Sequence, residues 1–317
     1  MSTETQTKTI PEELAGKRLD QALAQMFPDY SRSRLTAWLK DGAVLVDGRS
    51  PKPRERVDGG ESVELRAVAE PVTASAPEAI DLDIVYEDDA LLVIDKPAGL
   101  VVHPGAGNPT GTLMNGLLHH APGLEVLPRA GIIHRIDKET TGLLLVAKTL
   151  PAHTALVRAL AEREISRRYL AVCHGVLTGG ATIDAPIGRH PVDRTRMAIV
   201  DGGRRAVTHF TVVERFRAHT LVDVKLETGR THQIRVHFAH RRQPLVGDPV
   251  YGGRLALPKG ATEPLIAALR QFKRQALHAA RLGFEHPASG ERVDLEAPLP
   301  ADLEALLEVL REDAADA

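Results

Sequence analysis

Six short apolar runs, at residues 91–94 (LLVI), 143–146 (LLLV), 169–172 (YLAV), 207–213, 221–226 and 276–284, are bounded by turn or charged residues. Runs of this length and composition are strand signals. Between them, helical patterns fall at 111–120, 152–164, 231–240 and 302–311. The alternation is irregular, which argues against a strict βαβ winding, because that winding places one helix between consecutive strands. The expected fold is therefore α+β, with a central mixed or antiparallel sheet flanked by helices and loops.

A smaller unit precedes this domain. Leu19, Leu23 and Met26 recur at helical spacing, and Ser31 stands as the N-cap of a second helix carrying Leu35, Trp38 and Leu39. Gly42 ends that helix, residues 44–46 and 63–65 read as strands, and Asp47-Gly48 is a tight-turn signal. Residues 68–77 (VAEPVTASAP) are too poor in large apolar groups to build an element. The expected organisation is a flexible tail at 1–15, a small unit at 16–66, a linker at 67–79 and a larger domain at 80–317.

Composition narrows the function classes. With 317 residues and 43% hydrophobic content, the chain can bury sizeable cores. Cys173 is the single cysteine, so an internal disulfide and a cysteine zinc cluster are both excluded, and a reducing, cytoplasmic compartment fits. The opening residues carry no apolar signal segment, and no apolar run approaches the roughly 18 residues that span a bilayer. No membrane association is expected. A net charge of −2 argues at first against a polyanionic partner, but the charge is unevenly spread. Residues 31–56 hold Arg32, Arg34, Lys40, Arg49, Lys52, Arg54 and Arg56 against Asp41, Asp47 and Glu55, and residues 189–235 hold ten basic against five acidic side chains. Acid-rich stretches at 78–89 and 302–316 mask both regions in the total. Such local excesses suit nucleic acid, and they also occur on ordinary solvated faces.

The chemistry-bearing stretch is residues 131–142 (GIIHRIDKETTG), a charged cluster between two apolar runs. Loops held by a rigid sheet often carry function, and a salt-bridged surface loop reads the same way from the residues alone. Residues 227–237 (ETGRTHQIRVH) read as a strand end, a glycine turn and a helix start, with Arg235 one turn inside the helix. Arg230 and the first amides of that helix are placed to meet phosphate. His232, His237 and His240 match no metal signature and have no acidic ligand beside them, so no metal is expected. Residues 103–108 (HPGAGN) lack dinucleotide-binding spacing, no phosphate loop or nucleophile elbow occurs, and Cys173 in an apolar strand reads as core.

Three segments, HRIDKETTGLLLVAK (134–148), RRYLAV (167–172) and LETGRTHQIRVH (226–237), closely resemble the core motifs of the RluA/RluD family of RNA pseudouridine synthases, in the same order and spacing. The resemblance continues through QPLVGDPVYGG (243–253) and FKRQALHA (272–279), which look most like members acting on large-subunit rRNA, and residues 16–66 resemble an S4 RNA-binding domain. Ile136 stands where the family usually has Leu, and Thr141 where Ser is common. The resemblance implies isomerisation of uridine to pseudouridine in RNA, with 23S rRNA of the pre-ribosomal large subunit and its intersubunit stem-loop as the expected target. It implies Asp137 as the essential carboxylate, Arg235 as its basic partner, and Tyr169 as the aromatic that packs on the base. Arg135 would fill the gap left by the extruded nucleotide. His134, Thr141, Arg230, His232 and Gln233 complete the implied substrate site, and Arg18, Arg32, Arg34 and Lys40 the implied RNA contacts of the S4-like unit. The reaction involves no redox change and no group transfer, so neither a metal nor an organic or nucleotide cofactor is expected. Three other readings stay open at this point: an S4-type RNA-binding protein without catalysis, a synthase of the same family acting on tRNA, and a glycosidic hydrolase using Asp137 and Glu139 as its carboxylate pair.

Overall fold

The computed structural model describes residues 3–27, 30, 32–68, 75–105 and 107–316. The small unit comprises β1 (Thr3–Thr9), α1 (Leu19–Met26), α2 (Arg32–Lys40), β2 (Val44–Val46) and β3 (Ser62–Val68). Its sheet runs β1-β3-β2, all antiparallel. The helical spacing of Leu19, Ala22, Leu23 and Met26 gives α1 one apolar face, which buries against Leu35, Trp38 and Leu39 of α2 and Val44, Val63 and Leu65 of the sheet. Asp47 and Gly48 both take positive φ (49° and 76°) in the tight turn that the sequence signals.

Of the flexible tail expected at 1–15, residues 3–15 are instead part of the small unit. Residues 3–9 pair with β3 over their whole length, and Ile10 and Leu14 are buried in this core. The segment TETQTKT carries no apolar alternation because an edge strand adds through its backbone and leaves polar side chains in solvent. Of the cations assigned to RNA, Arg18 is forked onto Asp20 at 3.0 Å and Lys40 is exposed at the end of α2. The side chains of Arg32 and Arg34 lie outside the described residues.

The larger domain contains, in order, β4 (Ile84–Glu87), β5 (Leu91–Lys96), α3 (Leu113–His120), β6 (Thr141–Ala147), α4 (Leu150–Glu162), β7 (Ser166–His174), β8 (Ala181–Asp184), β9 (Ile187–Arg189) and β10 (Met197–Ile199). It continues through β11 (Val207–Arg215), β12 (His219–Leu226), α5 (Gln233–His240), α6 (Glu263–Gln271), β13 (Leu277–Glu285), β14 (Arg292–Glu296) and α7 (Ala301–Ala315). Nine strands form one sheet in the order β4-β5-β6-β13-β7-β12-β11-β8, with β14 on β13, while β9 and β10 pair separately. β6 and β13 are parallel, and the other pairs of this sheet are antiparallel, so the sheet is mixed as expected. Every residue of β6 is buried, as suits a central strand covered on both faces. One face packs α3 and α5 through Leu113, Leu117, Ile234 and Phe238, and the other packs α4 through Ala152 and Leu156. α6 and α7 close a further cluster with Phe216, Leu221 and Val246. Residues expected in the linker already belong to this domain, since the Ala76 carbonyl accepts from the Asn115 amide side chain at 2.7 Å and Glu78 N–H donates to the Asn115 carbonyl at 3.0 Å. No helix among the described residues is long and apolar enough to cross a membrane.

Gly142, at the start of β6, has φ of +109°, and a Cβ there would overlap the backbone of Ala279 on β13. Both constraints demand glycine. Gly142→Ala is expected to cost at least about 2 kcal/mol in urea or thermal unfolding and to loosen the loop that precedes β6.

Candidate active site

The loop from Ile132 to Thr140 follows a short 3-10 turn (Pro128–Gly131) and enters β6, and three groups hold it from behind. The buried ammonium of Lys96 donates to the carbonyls of Pro97, Leu100 and Lys138 at 2.6, 3.0 and 2.9 Å. Burial pushes the Lys96 pKa down to about 8, against the opposing pull of Glu139 and Asp137. Arg274 donates to the Glu139 carbonyl at 3.3 Å while forking onto Asp302 of α7 at 2.6 and 2.7 Å. The Gln275 amide donates to the Thr140 hydroxyl at 3.0 Å. With its carbonyls and hydroxyl so engaged, and Thr140 N–H closing a turn on the Asp137 carbonyl at 3.0 Å, the loop projects Asp137 from a fixed backbone.

Arg235 reaches that carboxylate from the first turn of α5, with Nη1 3.0 Å from Asp137 Oδ2. The rest of its guanidinium forks onto Asp248, Nε to Oδ2 at 2.7 Å and Nη2 to Oδ1 at 2.9 Å. Asp248 is buried and also accepts the backbone N–H groups of Val250 and Tyr251, each at 2.9 Å. Burial opposes the charge on Arg235, but its hydrogen bonds to Asp248 and the two carboxylate charges outweigh it and raise the Arg235 pKa. Burial likewise opposes ionisation of Asp248, and its hydrogen bonds and the Arg235 charge carry its pKa below the usual carboxylate value. The Tyr251 ring lies 5.0 Å from the Arg235 guanidinium, a cation–π distance. Its hydroxyl accepts from Met197 N–H at 3.0 Å and shares a 2.8 Å hydrogen bond with His232 Nδ1. His232 Nε2 then faces Asp137 Oδ1 at 3.9 Å, and burial lowers the imidazole pKa.

Asp137, His232 and Arg235 line a small open cleft of about 80 Å³, with Asp248 and Tyr251 behind the guanidinium. Of the residues singled out in the sequence, it brings together Asp137, Arg135, Tyr169, Arg230, His232, Gln233 and Arg235. Tyr169 is buried on β7, and burial raises its phenol pKa. Arg135 is exposed at the cleft and at the two hollows flanking it. Gln233 serves as wall, its amide donating to Val207 O and Thr208 Oγ1 and accepting from Thr228 Oγ1 and Arg230 N–H. His134 and Thr141 lie off this cleft. Leu145 N–H donates to His134 Nε2 at 3.3 Å, and burial pushes that imidazole down to about 3, so it works as a neutral strut between loop and sheet. The Thr141 hydroxyl is buried and hydrogen-bonded to His278 Nδ1 at 2.9 Å.

Asp248, Tyr251, Lys96, Arg274 and Gln275 were not singled out from the sequence. Asp248 stands between Gly247 and Pro249, where an aspartate reads as turn chemistry. Lys96 begins a Lys-Pro-Ala-Gly turn, where an ammonium is ordinarily solvated.

Residues 90–240 match the family described as RNA pseudouridylate synthase, and residues 17–63 match the S4 domain. The chain is 58% identical over 308 residues, 97% of its length and 93% of the relative's, to ribosomal large subunit pseudouridine synthase D of Xanthomonas campestris pv. campestris. It is 58% identical to the protein of that name from Pseudomonas aeruginosa (96% and 95% covered) and 56% identical to that of Escherichia coli K12 (97% and 94% covered). Among solved structures it resembles human RNA pseudouridylate synthase domain containing 4 (TM-score 0.56, 27% identity, 72% of this chain and 92% of that one). Human RNA pseudouridylate synthase domain containing 1 is similar too (TM-score 0.55, 26% identity, 75% and 97%). With identity of this extent over nearly the whole length of both proteins, the chain belongs to the RNA pseudouridylate synthase family and is an RNA pseudouridine synthase.

Proposed function

We propose that this enzyme isomerises uridine in 23S rRNA of the pre-ribosomal large subunit, in its intersubunit stem-loop, in the cytoplasm, with Asp137 as the reacting carboxylate. The observation that carries the reading is the Asp248–Arg235–Asp137 chain at the floor of the cleft. Arg235 anchors Oδ2 of Asp137, and Oδ1 carries no hydrogen bond among the described residues, which leaves one carboxylate oxygen to meet the nucleotide. The substrate assignment rests on the relatives, which are named for the ribosomal large subunit.

A stacked uridine cannot present its glycosidic bond and then turn its base, so the nucleotide leaves the stack, at a cost of a few kcal/mol that loop sites reduce. Arg135 takes the vacated position, and the extruded base packs on Tyr169. Asp137 acts while the bond to N1 is cleaved and C5 is joined in its place. His232, Arg230 and the Gln233 wall bound the sugar side. The C1′–N1 bond breaks, the C1′–C5 bond forms, and the proton released from C5 is balanced by one taken up at N1, so the product is an isomer of the substrate.

Asp137→Asn is expected to reduce conversion by at least about 10³-fold while RNA affinity stays within a few-fold. Carbodiimide-dependent reverse-transcriptase stops, mapped in rRNA and tRNA from cells with and without the protein, check the target, and an unchanged large-subunit pattern rejects it. Asp248→Asn, which removes the fork holding Arg235, is expected to lower kcat by about 100-fold with little change in KM and to cost roughly 3 kcal/mol of stability, as measured by single-turnover kinetics and denaturant unfolding. Removing residues 1–70 is expected to weaken RNA binding and flatten its salt dependence while the larger domain, with its separate core clusters, still folds. Filter binding across a salt series measures this, and undiminished affinity would assign RNA binding to the larger domain alone.

A further inference from the structure

Three arginines are buried in the larger domain: Arg167, Arg235 and Arg274. Arg235 is held by Asp248 and Asp137, and Arg274 by Asp302. Arg167 is 7% exposed, its Nε is enclosed without a hydrogen-bond partner, and its guanidinium makes no ion pair among the described residues. An arginine keeps its charge at any physiological pH, and an enclosed cation without an anion is costly to the fold. A group kept at such a cost points to a partner that arrives from outside.

The surroundings identify that partner. Arg167 and Tyr169, both buried, alternate with half-buried neighbours on β7, so they stand on the same face of the strand, about 7 Å apart. Arg167 forms the wall between the cleft of Asp137 and a second hollow, which is also lined by Arg129, Arg135, Arg163 and Arg230. The carboxylate lining that hollow, Glu227, is already taken by Arg163 at 2.8 Å and His209 at 2.9 Å. Gly229 passes over the guanidinium, where a Cβ would come within 2.9 Å of Nη1, so the glycine keeps this approach open.

We propose that Arg167 binds a backbone phosphate of the RNA, on a linkage adjoining the extruded uridine, at the wall between the two hollows. The inference rests on the proposed placement of the target base against Tyr169. A base packed there carries its own phosphates to the rim, one strand-step pair from the tyrosine, where the guanidinium fork matches two phosphate oxygens. The contact ties nucleotide extrusion to the position of the glycosidic bond over Asp137, because the same strand presents both the anchor for the base and the anchor for its backbone.

The test uses the full chain and a synthetic large-subunit rRNA stem-loop containing a converted uridine, with single methylphosphonates placed in turn at the three linkages on either side of it. In the wild type, one neutral linkage is expected to lower kcat/KM on the order of tenfold. Arg167→Gln should lose the same factor on the intact RNA, lose nothing further at that linkage, and show a salt slope smaller by about 1. Arg167→Lys should recover most of the loss. Arg167→Met, which keeps the stem and removes the charge, should melt at or above the wild-type temperature without RNA. Equal methylphosphonate losses in wild type and Arg167→Gln at every linkage would overturn the assignment. A lower melting temperature for Arg167→Met would overturn it as well, by marking Arg167 as a structural support. Failure of the wild type to convert the intact stem-loop would reject the substrate reading and this inference together, whereas conversion with additive losses rejects the role of Arg167 alone.

Discussion

The fork between Asp248 and Arg235 is the interaction on which the cleft depends. A buried guanidinium is costly unless its donors are matched, and Asp248 takes Nε and Nη2 of Arg235 while being held itself by two backbone amides. That leaves Nη1 with one direction to point, and Asp137 lies in it. The orientation of the proposed reacting carboxylate therefore traces back to residues 248–251, which lie well along the chain from the loop that carries it. Tyr251 extends the same support sideways to His232.

The sheet supplies the second half of the geometry. β6 lies between β5 and β13, and each neighbour ends in groups that grip the loop before β6: Lys96 at the end of β5, and Arg274 and Gln275 just before β13. Tyr169 comes from β7 on the far side of β13, and Arg235 from the helix that follows β12. Five strands thus feed one spot, and the close approach of β6 to β13 at Gly142 keeps their spacing tight.

Much of this was legible in the residues. The six apolar runs became β5, β6, β7, β11, β12 and β13, and residues 231–240 opened a helix with Arg235 in its first turn. Those signals are local, and local periodicity reports them. What escaped was non-local or backbone-based. β1 is polar because the sheet uses its amides; α6 is only nine residues long, opens on a Thr262 cap after a Pro/Gly-rich stretch, and buries Leu265 and Leu269 alone. Asp248 sits in a turn and Lys96 closes β5 just before one, places where charged residues are usually solvated, and their burial follows from a tertiary arrangement that no sequence window contains. The same limit applied to Asp137, which the residues alone left balanced between a surface salt bridge and a site.

The grip of Arg274 on the loop has a consequence for the order in which the protein is made. Arg274 is locked by Asp302 on α7, yet the carbonyl that it holds belongs to Glu139. During synthesis the loop and its carboxylate emerge early and the clasp that steadies them emerges late. A nascent chain can therefore complete the small N-terminal unit and most of the sheet while the Asp137 loop, already held by Lys96, still lacks the clasp that α7 steadies.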